Sequence, residues 1–210
     1  MKTKVGSVIS RGFFLFIVTG PLFSTYFWIN QRTQATHSQV FMPEWVPFLP
    51  QLAIPYLSVL LTPAIRIFLI KNDSRFRRYV ISFIPSYGAV ALVCIFFPTE
   101  ILRPEVAPGI LNLPYRALIS VDRPVCISPC GHIVGPMLLT WFLAGENRWH
   151  LRWLLPFLML ASISIIATWQ HRPVDVVNGI VISIGGALVT RTLWDLFKRK
   201  PHSATMQNGV

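Results

Sequence analysis

The sequence predicts an all-α polytopic membrane bundle of about six transmembrane helices, and three observations point there. Apolar stretches of roughly twenty residues recur along the chain, long enough to cross a ~30 Å hydrocarbon core. Only 13% of the 210 residues are charged, about half the share in a soluble domain, and mean hydropathy is +0.54. The basic residues behind the net charge of +11 sit in short clusters between apolar runs. A nucleic-acid binder would carry them along one stripe, so that class is excluded.

The first span is expected at about 8–29. Met1-Lys2-Thr3-Lys4 followed by an apolar run resembles a signal peptide, but the run continues to Trp28 without a small-x-small cleavage site, so an uncleaved helix is expected. Between Gln31 and Pro50, Met42, Trp45, Val46, Phe48 and Leu49 form an apolar-aromatic stretch too short to cross, expected at the interface. Further spans are expected at about 51–71, 78–98, 131–148, 152–170 and 173–195. Pro136 interrupts the fourth, and Gly145-Glu146-Asn147 marks its exit. The whole reads as one domain over 1–197, with loops at 99–132 and 169–175 carrying the chemistry and a polar tail at 198–210.

Six spans place both termini on one side. Lys2, Lys4, Arg11, Lys71, Arg75, Arg77, Arg78, Arg148, Arg152, Arg191, Lys198, Arg199 and Lys200 fall on that side; with Arg66 they make fourteen of the nineteen basic residues. Arg32, Arg103, Arg116, Arg123 and Arg172 fall opposite. The positive-inside rule makes the richer side cytoplasmic. The expected location is a bacterial inner membrane or its equivalent.

The poorer side concentrates the chemistry. His132 stands where the fourth span leaves this face and His171 where the fifth returns to it. The 38 residues between them suffice for two crossings and a turn. Asp175 follows His171 by four residues with Pro173 between them, and proline favours the first turn of a helix. A carboxylate in that turn can reach back to an imidazole, hold its tautomer and raise the basicity of its far nitrogen. Arg123 and Arg172 lie closest in sequence to the histidines, and guanidinium forks suit phosphate oxygens. Two imidazoles, a carboxylate and arginines can run phosphoryl transfer: one ring attacks phosphorus, the other protonates the leaving oxygen, and arginines hold the equatorial oxygens.

Ser128-Pro129-Cys130-Gly131-His132 resembles the proline-serine-glycine-histidine motif of the type 2 phosphatidic acid phosphatase superfamily. Thr168 to Asp175 resembles its histidine-x-x-x-aspartate motif. Arg116, six residues, then Arg123-Pro124 resembles its lysine-x6-arginine-proline motif. The resemblance implies a helical bundle with an extracytoplasmic pocket and no cofactor. It implies His171 as nucleophile, Asp175 as its orienter, His132 as general acid, and phosphate binding by Arg116 and Arg123, with Arg172, Cys130 and Gly131 beside them. Its implied partners are a lipid phosphate substrate and the surrounding membrane lipids. Three departures stand out: Cys130 replaces the motif serine, Ile165 stands where an arginine is expected six residues before His171, and Pro124 to Pro129 is short. Compact spacing resembles the branch of inositol phosphorylceramide and sphingomyelin synthases, which pass a phospho-headgroup to a lipid hydroxyl instead of water.

The expected activity is hydrolysis of a lipid phosphate or diphosphate through a phosphohistidine, with headgroup transfer as the alternative. From other classes come an inactive lipid-phosphate binder and a transporter; a transporter would show ionisable residues at mid-membrane, where these spans carry essentially none. Cys126, Cys130, His132 and His171 can be read as a zinc set, but four arginines on the same face argue against a cation, and no metal is expected. A Cys126–Cys130 disulfide is conceivable in an oxidising compartment. Asp175 has a blander reading as a charge favouring a helix N-terminus. Arg103 reads as a loop charge pairing with Glu100 or Glu105, and His37, His150 and His202 read as surface residues.

Overall fold

The computed structural model describes residues 4–31, 38–60 and 62–198. His37, His202, Arg32, Lys2, Arg199, Lys200 and nearly all of the expected tail lie outside them. Eight α-helices account for most of the described chain: α1 Lys4–Gln31, α2 Ala53–Leu60, α3 Thr62–Leu69, α4 Asp73–Phe96, α5 Leu113–Val121, α6 Val134–Ala144, α7 Leu151–Ala167 and α8 Pro173–Lys198.

Four are long and apolar enough to cross a membrane: Val8–Gln31 within α1, Asp73–Phe96, Arg148–Ala167 and Pro173–Lys198. The 28 residues of α1 extend about 42 Å at 1.5 Å per residue. Large apolar side chains such as Phe13, Phe16, Phe68, Leu92, Met159 and Val181 point outward, as lipid-facing surfaces require and water-facing ones do not. The protein is a multi-pass membrane bundle.

Two expected spans take a different form. The 51–71 segment is two eight-residue helices, α2 and α3. Each carries a proline in its first turn, Pro55 and Pro63, the place where a missing N–H is tolerated; two such prolines mark two helix starts. The 131–148 segment is the eleven-residue α6, about 16 Å long. Residues 131–133 form the turn before it, Pro136 lies in its first turn, and Gly145 caps its end.

Small residues set the packing. α8 lies along α4, and a Cβ on Gly186 would stand 2.0 Å from Ser86 Oγ and 3.2 Å from its Cβ and N, so any larger residue would have to push that hydroxyl aside. About two turns nearer the N-terminus, a Cβ on Gly179 would stand 2.4 Å from the Cys130 carbonyl oxygen and 2.6 Å from Ile133 Cγ2. Gly179 thus seats α8 against the turn that carries His132.

The ends of the bundle are chemically distinct. At one end Arg11 bonds to Asp73 and to the carbonyls of Ile67, Ile70 and Lys71, and Arg75 meets Glu146 at 4.0 Å. At the other end lie the α4–α5, α5–α6 and α7–α8 connections. Strand β1, Ser38–Val40, pairs in parallel with β2, Thr99–Ile101. Phe48 of the expected interfacial stretch packs edge-on against Tyr115 and Trp169, while Trp45 remains 72% exposed.

Arg66 corrects the charge tally. It is fully buried, donates from Nη2 to Thr62 Oγ1 at 2.9 Å, and lies over the Tyr79 and Phe83 rings at 4.6 and 5.1 Å. It is no surface charge, which lowers the sequence tally for the richer side from fourteen to thirteen, and it places an ionisable group inside the bundle where the sequence reading had none. The aromatic faces offset part of the cost of burying it, by about 2 kcal/mol for a desolvated cation–π contact, while its Nε and Nη1 have no hydrogen-bond partner among the described residues.

Candidate active site

Residues 122–133 link α5 to α6, and side chains from three other elements hold this loop in place. From α1, Asn30 Nδ2 donates to the Arg123 carbonyl at 3.2 Å, and its Oδ1 accepts from Arg123 N at 3.1 Å. From β2, Thr99 Oγ1 accepts from Ile127 N and Ser128 N, each at 3.1 Å. From the end of α4, Cys94 forms a disulfide with Cys126. That pairing replaces the conceivable Cys126–Cys130 bridge: Cys126 lies in the left-handed region (φ 66°), and Cys130 is buried and free.

The loop delivers His132 to His171, whose turn between α7 and α8 lies against it. His132 Nδ1 and His171 Nε2 are 2.9 Å apart. His171 Nδ1 meets the Ile127 carbonyl. A carbonyl only accepts, so Nδ1 carries the proton, Nε2 carries the lone pair, and His132 Nδ1–H donates to it. Burial, then the neighbouring His132, lowers the His171 pKa to about 3. Burial also lowers that of His132, against an upward pull from Asp122. Both rings are neutral at pH 7, and His171 presents an unprotonated nitrogen.

Asp175 is fully buried, but its partner is Arg172 and not His171. Oδ2 accepts from Arg172 N at 2.9 Å and Nε at 3.0 Å; Oδ1 accepts from Nη2 at 2.9 Å. Asp175 is the third residue of α8, and its bond back to the preceding amide is the carboxylate half of a capping box. A guanidinium fork plus an amide offers it three donors where the imidazole offers one. The helix-terminus reading of Asp175 therefore describes its contacts, and the Ile127 carbonyl does the orienting expected of it.

The other expected site residues divide. Gly131 accepts from Tyr87 Oη at 3.0 Å through its carbonyl. Cys130 is buried beside both histidines; burial pushes its thiol up to about 12, so it is no nucleophile. Arg172 stays partly exposed while bound to Asp175. Arg116 and Arg123 are exposed, and no described hydrogen bond joins either to the histidines.

A second buried pair stands closer in. Arg103 donates to the Asp122 carbonyl and meets Asp122 Oδ2 at 3.3 Å, not Glu100 or Glu105. Asp122 Oδ1 accepts from Tyr26 Oη at 2.8 Å, and the Tyr26 ring meets His132 edge-on at 6.2 Å. Tyr56 lies 5.1 Å from His132 on another side. Buried Tyr56 Oη and Arg103 Nε have no hydrogen-bond partner among the described residues, and both are donors. Sequence reasoning passed over Asp122 and the Ile127 carbonyl; a single acid between Val121 and Arg123 was the available signal for the first, and nothing marks a carbonyl.

Asp122 and His132 also line a cavity of about 670 Å³. It runs beside α1 from Phe27 to Gly12 and is walled by Phe16, Phe23, Leu57, Val59, Ile67 and Leu118 among others. Those sixteen positions of α1 span about 22 Å. The chemistry thus stands beside a long apolar space between helices.

No protein-family model and no curated protein matches the chain.

Proposed function

We propose that this protein hydrolyses a lipid-linked phosphate or diphosphate through a phosphohistidine on His171. The observation that carries the reading is the His132–His171 pair beside an apolar cavity that His132 itself lines. His171 Nε2 attacks phosphorus and forms the N–P bond as the P–O bond to the lipid breaks. His132 gives its proton to the departing oxygen. The incoming phosphate displaces the His132 N–H from His171 Nε2, which frees that lone pair for attack, and its negative charge raises the pKa of His132, which supplies the proton this step needs. Water, deprotonated by His132, then attacks phosphorus and frees His171. Tyr56 Oη and Arg103 Nε are donors suited to phosphate oxygens, with Arg172, Arg116 and Arg123 nearer solvent. The cavity takes the apolar chain.

The resemblance to the type 2 phosphatidic acid phosphatase superfamily agrees with this assignment of the histidines, while the roles of Asp175 and the arginines differ from it. In this reading α2 with α3 and the short α6 complete six crossings. Thirteen basic residues against five set the site face outside, and a Cys94–Cys126 disulfide on that face suits an oxidising compartment.

One observation favours headgroup transfer as the second reading: His171 is only 3% exposed, and a transferase gains by excluding water. Purified protein supplied with labelled lipid phosphates, alone and then with lipid alcohols, separates the two. Free phosphate released without an acceptor supports hydrolysis. Label that leaves only when an acceptor is present, and appears in a new lipid, replaces hydrolysis with transfer.

A further inference from the structure

Nothing in the phosphoryl chemistry uses the sulfur of Cys130. With Cys94 and Cys126 paired, it is the free thiol of the chain. Its sulfur and one ring nitrogen from each of His132 and His171 all lie within 4.8 Å of one another.

We propose that Cys130, His132 and His171 form a binding site for a single zinc ion, with a fourth position left for water or an oxygen ligand. Three protein ligands drawn from thiolate and imidazole, with one open position, are a recurrent zinc arrangement. Tetrahedral bonds of ~2.3 Å to sulfur and ~2.0 Å to nitrogen require edges of roughly 3.3 Å (N to N) and 3.6 Å (S to N). To meet this, the two nitrogens, 2.9 Å apart and facing each other, part and turn their lone pairs onto the ion, and the sulfur, within 4.8 Å of both, closes to that edge.

The surroundings fit a ligating site. Zinc-binding histidines donate their second N–H to a carbonyl or carboxylate, which fixes the tautomer and aims the lone pair. The Ile127 carbonyl already does this for His171. The objection that arginines would repel a cation dissolves on their actual contacts: Arg103 is paired with Asp122 and Arg172 with Asp175, while Arg116 and Arg123 are exposed. The site lies next to the cavity through His132, which leaves room for the fourth ligand. On binding, the thiol S–H breaks, the S–Zn bond forms and its proton leaves to buffer, while the His132 proton passes from Nδ1 to Nε2 so that Nδ1 presents a lone pair; affinity therefore falls as pH falls. Zinc takes the lone pair that phosphorus would need, so the metal and a phosphoryl group exclude each other.

The test uses chelator-treated full-length protein in detergent without any substrate, so it stands or fails apart from the phosphatase reading. Cobalt(II) titration should give a near-ultraviolet thiolate-to-cobalt band and strong visible bands of a four-coordinate ion. Zinc should displace it at one ion per chain. Cys130→Ala should abolish the thiolate band and weaken zinc binding at least tenfold, and His132→Ala should weaken it similarly. X-ray absorption of the zinc-loaded wild type should show one sulfur at about 2.3 Å, a readout that needs no variant to fold. Absence of that sulfur shell, or a thiolate band that survives in Cys130→Ala, overturns the proposal.

Discussion

His171 holds its proton on Nδ1 against the Ile127 carbonyl and stays neutral with a pKa near 3. The unfolded chain binds that proton near pH 6.5. Between these values the unfolded state carries more protons, so the stability His171 confers is complete above about pH 6.5 and is lost as pH falls toward 3. The melting temperature of the wild type should drop from pH 6.5 to 5 more steeply than that of His171→Gln, and parallel curves would contradict the buried neutral ring. Asp175 makes a separate prediction. Its three bonds all go to Arg172, so Asp175→Asn and Arg172→Met remove one unit. Each should destabilise by about 1–3 kcal/mol, and the double variant should be no worse than the poorer single, against the additivity expected of independent sites. A direct orienter of the nucleophile would instead give an Asp175→Asn protein that melts normally and turns over hardly at all.

Among the elements, α1, α4, α7 (with the turn before it) and α8 were legible because each belongs to an apolar helical run of 20 to 26 residues, about what a membrane needs or more, and Pro21, Pro85 and Pro156 inside them do not stop them. The break between α2 and α3 was written in Pro55 and Pro63, yet continuous hydropathy masked it. The three-residue strands and α5 lack a period long enough to read. The meeting of His132 and His171 was legible from the length between them, since two crossings and a turn return the chain to its starting face. The choice of Arg172 over His171 by Asp175 was not, because residues three and four positions back are equally near in sequence. Close packing at α8 gives a test at this scale. Gly186→Ala should lower the melting temperature, because its Cβ meets Ser86 Oγ at 2.0 Å, and Ser86→Ala should restore part of the loss by removing that atom. Equal melting of Gly186→Ala and wild type would show that α4 and α8 are not packed this way.

For the whole molecule, orientation and chemistry are linked: in sequence, five basic residues flank the spans on the side of the His132–His171 pair and thirteen flank them on the other. A cysteine placed at Ile110, 86% exposed, should react with an impermeant reagent added outside cells, and one at Arg75 should not; the reverse pattern would turn the site to the cytoplasm. Covalent catalysis by His171 is the step on which the proposed function depends most. Protein mixed with lipid phosphate labelled in its terminal phosphate, quenched within one turnover and digested, reads this directly. The expected result is label on the peptide containing His171, none in His171→Gln, and turnover in that variant reduced by several orders of magnitude. Unlabelled protein together with a His171→Gln variant that keeps a tenth of wild-type turnover would contradict it.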